Sequence, residues 1–473
     1  MIANLQPYPE NKESEQAWLG RVPQHWPVLP NRALFAEVKD REHPDEEMLS
    51  VTITNGIIRQ KALLTYSSKK DSSRQDKSAY KLVQPRDIAY NKMRAWQGAI
   101  GASDFRGIIS PAYVVMRLRE ETSLPRYFHH LYRTPHFAKE AERWSYGITS
   151  DMWSLRPEHF KMIYTPQPPP EEQAAMVRFL DYANGRLERA IRAKRKVIAL
   201  LHEQKHAIIH RAVTRGLDPS VPLKPSGIPW LGDIPKHWEA RRLKHGVTPI
   251  EQGWSPQCDA QPAGESEWGV LKVGCVNKDT FAATQNKKLP ESLQPDPQLE
   301  TQDGDILVSR ANTRELLGLA ALAENPRPRL ILCDKLFRFR ARKECFDPKF
   351  LVLALRAKPS RAQIESSTNG ASSSMQNIGQ GVVKNLWVAM PAVAEQASIV
   401  AHISRETEPL TTAITSLERE IELLREYRTR LVADVVTGKL DVRPAAAHLP
   451  AEPLAPAPEP DESPEPETEE IEA

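Results

Sequence analysis

Apolar residues between Leu410 and Val435 recur at alternating steps of four and three: Leu410, Ile414, Leu417, Ile421, Leu424, Leu431 and Val435, with Arg428 at the one remaining step. That 3.5-residue period keeps one stripe of a helix turned toward a partner helix. An earlier stretch repeats the phase at an offset of 223 residues, through Leu187, Ile191, Lys194, Ile198, Leu201, Lys205, Ile208 and Ala212. Each stripe follows a proline-containing run, PQPPPEEQ before the first and MPAVAEQ before the second. These runs put acids in the first turn, where the helix dipole favours them, and predict helix starts near Glu171 and Ala394. Each helix should run roughly 43 residues, about 65 Å at 1.5 Å per residue. Alone, either would expose a long apolar stripe, so the two are expected to pair. A globular segment separates the end of one from the start of the other, and the chain must return across the structure. An antiparallel pair with one globular domain at each end is the simplest arrangement.

Outside the stripes the pattern changes to short β-rich runs bounded by turn residues: Leu49–Ile53, Asp87–Met93, Tyr113–Leu118, Val270–Val273, Asp305–Ser309 and Lys335–Arg340. These read as strands. Helical stretches at Pro125–Arg143 and Pro348–Glu365 interrupt them, which predicts an α+β class. The expected fold is two mixed α/β globular domains separated by a pair of long antiparallel coiled-coil helices, with an internal pseudo-two-fold repeat.

The repeat extends beyond the helices. Ile108–Asp218 aligns without a gap on Ile331–Asp441, and each copy ends alike, TRGLD at Thr214–Asp218 and TGKLD at Thr437–Asp441. Each copy also opens alike, WLGRVPQHW at Trp18–Trp26 and WLGDIPKHW at Trp230–Trp238. A duplication this long concerns architecture rather than a local motif. It divides the chain into a lead-in at 1–17, a first domain at 18–168, a first spacer helix at 169–216, a second domain at 217–390, a second spacer helix at 391–441 and a tail at 442–473. The domains have diverged: Lys39–Lys81 shares little with Val247–Thr301.

Composition narrows the class. The 473 residues suffice for two domains with their own cores. No apolar run approaches the roughly 20 residues that a membrane span needs. The first residues, MIANLQPYPENKESEQ, carry neither a basic nor an apolar leader segment, so the expected location is cytoplasmic. Four cysteines, Cys258, Cys275, Cys333 and Cys345, lack metal-ligand or disulfide spacing and are expected to be ordinary buried or half-buried thiols. From Pro450 onward there are nine acids and no lysine or arginine; setting those charges aside raises the net charge from +3 to +12. A basic body suits a polyanionic partner. The proline-, alanine- and glutamate-rich tail from about Pro444 has too little apolar surface to order itself and is expected to be disordered.

Catalytic signatures are missing from the sequence. There is no phosphate-binding G-x-x-x-x-G-K-[ST] run, no Gly-rich dinucleotide fingerprint and no N-P-P-Y or D-P-P-Y sequence of the kind used to methylate amino groups. Pro168–Pro170 is the approach to a helix, and Asp296 with Glu300 sits in a proline-broken loop. No catalytic residue, metal site or bound cofactor is assigned to this chain. The tryptophans Trp18, Trp26, Trp230 and Trp238, with His25 and His237, are expected to form an aromatic clasp with a satisfied histidine in each copy.

The doubled W-L-G-x-x-P-x-H-W opening, the doubled helix start at Glu172–Gln173 and Glu395–Gln396, the two stripes and the T-x-x-L-D endings together resemble the specificity subunits of type I restriction-modification systems. The resemblance spans Trp18 to Arg443. It implies a non-catalytic, DNA-binding protein of a defence system against foreign DNA, in which each globular part is a target recognition domain for one half of an asymmetric bipartite site. It also implies that the paired helices act as a spacer. Two modification subunits, which methylate adenine with S-adenosylmethionine, would dock on that spacer, through Leu187, Ile191, Ile198, Leu201 and Ile208 with Leu410, Ile414, Leu417, Ile421, Leu424, Leu431 and Val435. Restriction subunits working with ATP and magnesium would complete the complex. The acidic tail departs from that pattern. The alternative is a coiled-coil adaptor that joins proteins without reading DNA.

The resemblance also points to the segments that follow Asp87–Ala89 and Asp305–Leu307. There Lys92, Arg94, Arg310, Asn312 and Arg314 offer donors suited to guanine or adenine edges or to phosphate. A second candidate is the polar loop before each long helix, SYGITSDMW and TNGASSSMQN, where Thr149, Ser150, Ser372 and Ser373 could reach phosphate or base.

Overall fold

The two stripes form the longest helices of the computed structural model, Pro170–Arg215 and Val393–Val436, each one residue ahead of the start expected from the acids. The structure describes residues 5–65, 76–147, 152–258, 260–368 and 376–450. It divides into two compact units, one comprising residues 1–195 with 418–473 and the other 196–417. Each is treated in turn.

In the first unit a four-stranded antiparallel sheet is built from β1 (Phe35–Val38), β2 (Ile88–Asn91), β3 (Ile100–Ala102) and β4 (Tyr113–Leu118), in the order β1-β4-β2-β3. Val115 pairs with Val38 on one side and Ala89 on the other. Side chains alternate across a strand, and here both faces are buried. Ile88, Tyr90, Val114 and Met116 join the main core, while Ala89 and Val115 join a smaller one with Leu49, Val51 and Ile57. This explains why the strands read as nearly continuous apolar runs.

The helical stretch expected over Pro125–Arg143 is two helices, Pro125–Tyr132 and Pro135–Arg143. Pro135 has no N–H to continue the first helix, and Thr134 caps the second by accepting from the Phe137 amide at 3.2 Å. Met176, Phe179 and Leu180 of the first long helix share the main core with Leu431 and Val435 of the second. Glu188 pairs with Arg428 and Lys194 with Glu420, so the two helices run antiparallel within this unit. Residues Arg443–Ala447, expected to be disordered, form a short helix whose Val442 and Ala446 flank enters the same core. Two apolar side chains at the right spacing anchor a segment whose composition alone argued for disorder.

The second unit repeats the plan. β5 (Glu251–Gln252), β6 (Ile306–Ser309), β7 (Ala320–Leu322) and β8 (Leu336–Phe339) form an antiparallel sheet in the order β5-β8-β6-β7, the same order as the first. Ile306, Val308, Phe337 and Phe339 face one core; Leu307, Ala321 and Leu336 face another, with Val270, Cys275 and Leu330. The expected helix Pro348–Glu365 also divides, into Pro348–Arg356 and Lys358–Ser366, because Pro359 falls in the first turn of the second piece. Ala212 and Val213 of the first long helix share a core with Ile399 and Ile403 of the second. Pro409 lies inside the second long helix, where it deletes one backbone hydrogen bond. Of the stripe residues, Ile191, Ile414, Ile421, Leu431 and Val435 are buried, and Leu187, Ile198, Leu201, Ile208, Leu410, Leu417 and Leu424 are half-buried.

Candidate nucleic-acid interface

The doubled motifs meet each other. In the first unit the Trp26 indole donates to Glu172 Oε2 at 2.9 Å, His25 Nε2 lies 2.6 Å from Glu172 Oε1, and the Tyr8 hydroxyl donates to Oε2 at 3.0 Å. Arg443 adds a fourth bond at 3.1 Å. In the second unit Trp238 donates to Glu395 at 3.0 Å and His237 lies 2.9 Å from it. The glutamine beside each acid fastens the helix start to the domain: Gln173 accepts from the Leu124 amide and Gln396 from the Asp347 amide, both at 2.8 Å. The expected clasp is present with a different membership. Its tryptophan is the second of each motif; Trp18 packs edge-on against Phe137, and Trp230 is exposed. The clasp sets the orientation of the long helix against the domain.

A second repeated device positions the strand that leads to the candidate loops. Asp87, buried, accepts from the Gln84 amide at 2.9 Å and bonds Arg117 through two nitrogens at 2.7 and 2.8 Å. Asp305, equally buried, accepts from the Gln302 amide at 2.8 Å and from Arg340 Nε at 2.7 Å. The residue before each acid is left-handed, Arg86 at φ 81° and Gly304 at φ 84°. This Q-x-x-D turn starts β2 and β6, fixing where both strands end. A third pair, Arg133 and Arg356, caps carbonyl oxygens: Arg133 those of Thr52, Ile53, Gly98 and Ile100, and Arg356 those of Val276, Lys278 and Ala320. Arg356 also pairs with Asp279, which Lys205 of the first long helix holds at 2.7 Å. Sequence reasoning passed over both devices, although Arg133 and Arg356 stand at the 223-residue offset.

Beyond the strands, the structure brings the two candidate segments together in each unit. The Leu155 amide donates to the Lys92 carbonyl at 2.9 Å, and the Ile378 amide donates to the Arg310 carbonyl at 3.0 Å. Tyr146 bridges Ser154 in the first unit; Ala311 and Asn312 pair with Asn377 and Gln376 in the second. Lys92 and Arg310 are therefore equivalent, as are Arg94 and Asn312. Thr149, Ser150, Ser372 and Ser373 lie outside the described residues. Among the rest, Arg94 donates to Gln97 at 3.2 Å, Arg310 to the Asp334 carbonyl at 3.2 Å and Asn312 to Asn277 at 3.2 Å, while Arg314 stands 3.8 Å from Glu365. Local bonds of this kind hold a side chain in place until a ligand competes for it.

In the first unit Lys92 lines an open groove of about 550 Å³ with Tyr146, Met152, Ser154, Arg156 and Glu158. Lys81 lies nearby, buried and donating to the Tyr113 carbonyl. Burial, and then the charges of Lys92, Arg41 and Lys39 against that of Glu37, hold its ammonium below the usual lysine range. Glu37 is in turn held below the usual carboxylate range: burial alone would raise it, but Lys161 at 2.8 Å and Lys39 at 3.6 Å outweigh that. Two carboxylates, Glu37 and Glu158, among six cations, Lys39, Arg41, Lys81, Lys92, Arg156 and Lys161, leave a positive surface. In the second unit Arg241, Arg242, Lys244 and His245 line another groove, of about 510 Å³, where Arg242 stacks on Trp387.

As expected, the thiols are buried or half-buried, Cys275 and Cys333 the former and Cys258 and Cys345 the latter. Burial pushes Cys333 up to about 11. Among the described residues no group of three or more His, Cys, Asp or Glu could hold a metal ion, and no helix is long and apolar enough to cross a membrane.

No protein-family model matches the sequence. Over 209 residues the chain is 30% identical to the type I restriction enzyme EcoEI specificity subunit of Escherichia coli, covering 44% of this chain and 35% of that protein. In sequence, the chain is a relative of type I specificity subunits. It is also 23% identical over 208 residues to a putative type I restriction enzyme MjaX specificity subunit of Methanocaldococcus jannaschii, covering 44% of this chain and 47% of that one. The match thus spans about a third to a half of the length of these relatives. A solved structure described as the basis of complex assembly and conformational transition of the type I R-M system superposes with a TM-score of 0.60 at 15% identity, over 89% of this chain and 99% of that one. That superposition shows that the chain shares the fold of that structure.

Proposed function

We propose that this chain is the DNA sequence-specificity subunit of a type I restriction-modification complex, itself non-catalytic. The observation that carries this is the doubled frame. In each unit the same clasp and Q-x-x-D turn deliver a strand-exit loop with a basic residue, Lys92 or Arg310, against the polar loop. Two similar holders presenting different side chains suit an asymmetric site of two parts, as paired DNA-binding heads suit half-sites at a set spacing. Residues 18–168 and 217–390 would be the two recognition domains, and 169–216 with 391–441 the spacer that holds them apart. Antiparallel contacts between the long helices in the first unit, and the core they share in the second, support that spacer. Its stripe would also dock the modification subunits, which carry S-adenosylmethionine; restriction subunits with ATP and magnesium would join them.

Methylome sequencing of cells carrying this chain with its partner subunits tests the reading. The expected result is one bipartite adenine-methylated motif, and Arg310→Ala should relax one half of it only. Genome-wide absence of chain-dependent methylation, together with a purified complex that binds random and genomic duplexes equally, would leave the adaptor role in its place.

A further inference from the structure

Hydrogen-bond donors read only part of a base pair in the major groove, because the 5-methyl group of thymine is distinguished by apolar contact. In the first unit three large apolar side chains stand exposed on the two segments that meet at the groove: Met93 at 38%, Tyr146 at 58% and Met152 at 45%. Clustered apolar exposure of this kind marks an interaction surface. The charge around it selects the partner. Lys92 and Arg156 line the same groove with Glu158, and Lys39, Arg41 and Lys81 outnumber Glu37 nearby, so the balance stays positive. A protein-docking patch is depleted of charge at its centre, whereas cations packed around apolar tips match a polyanion whose bases carry methyl groups.

The Tyr146 ring and the two backbone segments are held in place. The Tyr146 ring stands edge-on to His159 at 4.9 Å. Trp96 donates to the Met93 carbonyl at 2.9 Å and packs edge-on against Trp153 at 5.6 Å, tying the strand-exit loop to the segment that carries Met152. The second unit differs at two of the three positions: the residue equivalent to Met93 is Ala311, buried, and that equivalent to Tyr146 is Asn369, while Met152 recurs as Met375. We propose that Met93, Tyr146 and Met152 read thymine 5-methyl groups in the half-site taken by the first domain, an inference that rests on the DNA-specificity role above.

The test uses the assembled complex and duplexes in which thymine is replaced by deoxyuridine, one half-site at a time. The half-site relaxed by Arg310→Ala belongs to the second domain, which assigns the other to the first. Removing a contacted methyl group should weaken binding about fourfold, the size of one methyl group's transfer from water, and only in the first domain's half-site. Met93→Ala and Tyr146→Ala, both at exposed positions, should bind thymine and deoxyuridine duplexes nearly alike. A first half-site without thymine, no effect of deoxyuridine there, or full discrimination kept by both variants would each overturn the proposal. Variants that impair assembly with the partner subunits without changing the thymine-to-deoxyuridine ratio would do the same, and would make the patch a protein-docking surface. Failure of the DNA role itself looks different, because the unsubstituted duplex would then show no preferred sequence.

Discussion

Glu172 and Glu395 occupy the same place in the repeated helix start, yet the first accepts from Tyr8, His25, Trp26 and Arg443 and the second from His237 and Trp238. The extra partners come from the two chain ends, where Gln6 bridges Asp441 and Arg443 stacks on Tyr8 at 4.9 Å. In the second unit the chain runs on through that point; in both units a left-handed glycine, Gly438 at φ 76° and Gly216 at φ 73°, lets the T-x-x-L-D turn pass the clasp tryptophan closely. The same clasp therefore serves two purposes. In one unit it orients a helix; in the other it also joins ends that no peptide bond connects.

The largest expected effect follows from this difference. Glu172→Ala leaves a buried indole and a phenol without their acceptor, takes one of two acceptors from the Arg443 guanidinium, and should cost about 3 kcal/mol. Glu395→Ala, at a more exposed site with two partners, should cost about 1 kcal/mol. Hydrogen exchange over residues 170–180 and 393–403 measures each unit separately, which a single melting temperature would not. Equal losses in both would show that the chain ends add nothing.

Next in size are the carbonyl caps. Arg356→Ala and Arg133→Ala should each cost about 2 kcal/mol, since each strands several backbone acceptors around one guanidinium. Lysine should not restore either, because it lacks the planar fork that reaches several oxygens at once. Arg356→Ala should also couple to Lys205→Ala through Asp279 in a double-mutant cycle. Thermal unfolding of the four variants measures this.

Smaller again are the effects expected at the proposed DNA contacts. Lys92→Ala and Arg310→Ala should each cost roughly 1–2 kcal/mol of discrimination and act on opposite half-sites. Arg241→Ala in the second groove should weaken all duplexes alike and lower the salt slope by about one. Binding titrations over a range of salt separate the two classes. A salt-slope change without loss of sequence preference at Arg310 would move it to the phosphate class.

Much of this was legible in the sequence because period 3.5 and a gapless duplication are strong signals. The long helices, the α+β class and the clasp motifs followed from them. What escaped has identifiable causes. The Q-x-x-D turn repeats between Asp87 and Asp305, 218 residues apart, so an insertion puts it out of phase with the 223-residue alignment. Pro135 and Pro359 divide helices whose periodicity continues across the break. At the candidate site, attention to donors picked out Lys92 and Arg310 but not Met93 or Tyr146, since exposure of an apolar side chain shows only in three dimensions.

The smallest effect concerns the endings. Asp441 and Asp218 close the same T-x-x-L-D motif, but Asp441 is half-buried and bonded to Arg443, whereas Asp218 is exposed and accepts from Ser220. Burial alone would raise the Asp441 carboxyl; the hydrogen bonds and charge of Arg443 hold it below the usual value. A carboxylate depressed in the folded state contributes stability that is fully present above its unfolded pKa, about 3.9, and is lost as pH falls through the folded value. The seam between the chain ends should therefore loosen below about pH 4, by less than about 1 kcal/mol because Arg443 is partly solvated. Hydrogen exchange at residues 5–13 and 441–449 should show this acid dependence, and Asp441→Asn should flatten it. Glu172 faces the same guanidinium, so the difference between wild type and variant, rather than the wild-type curve alone, isolates Asp441; identical acid dependence in both would show that Asp441 does not govern the closure.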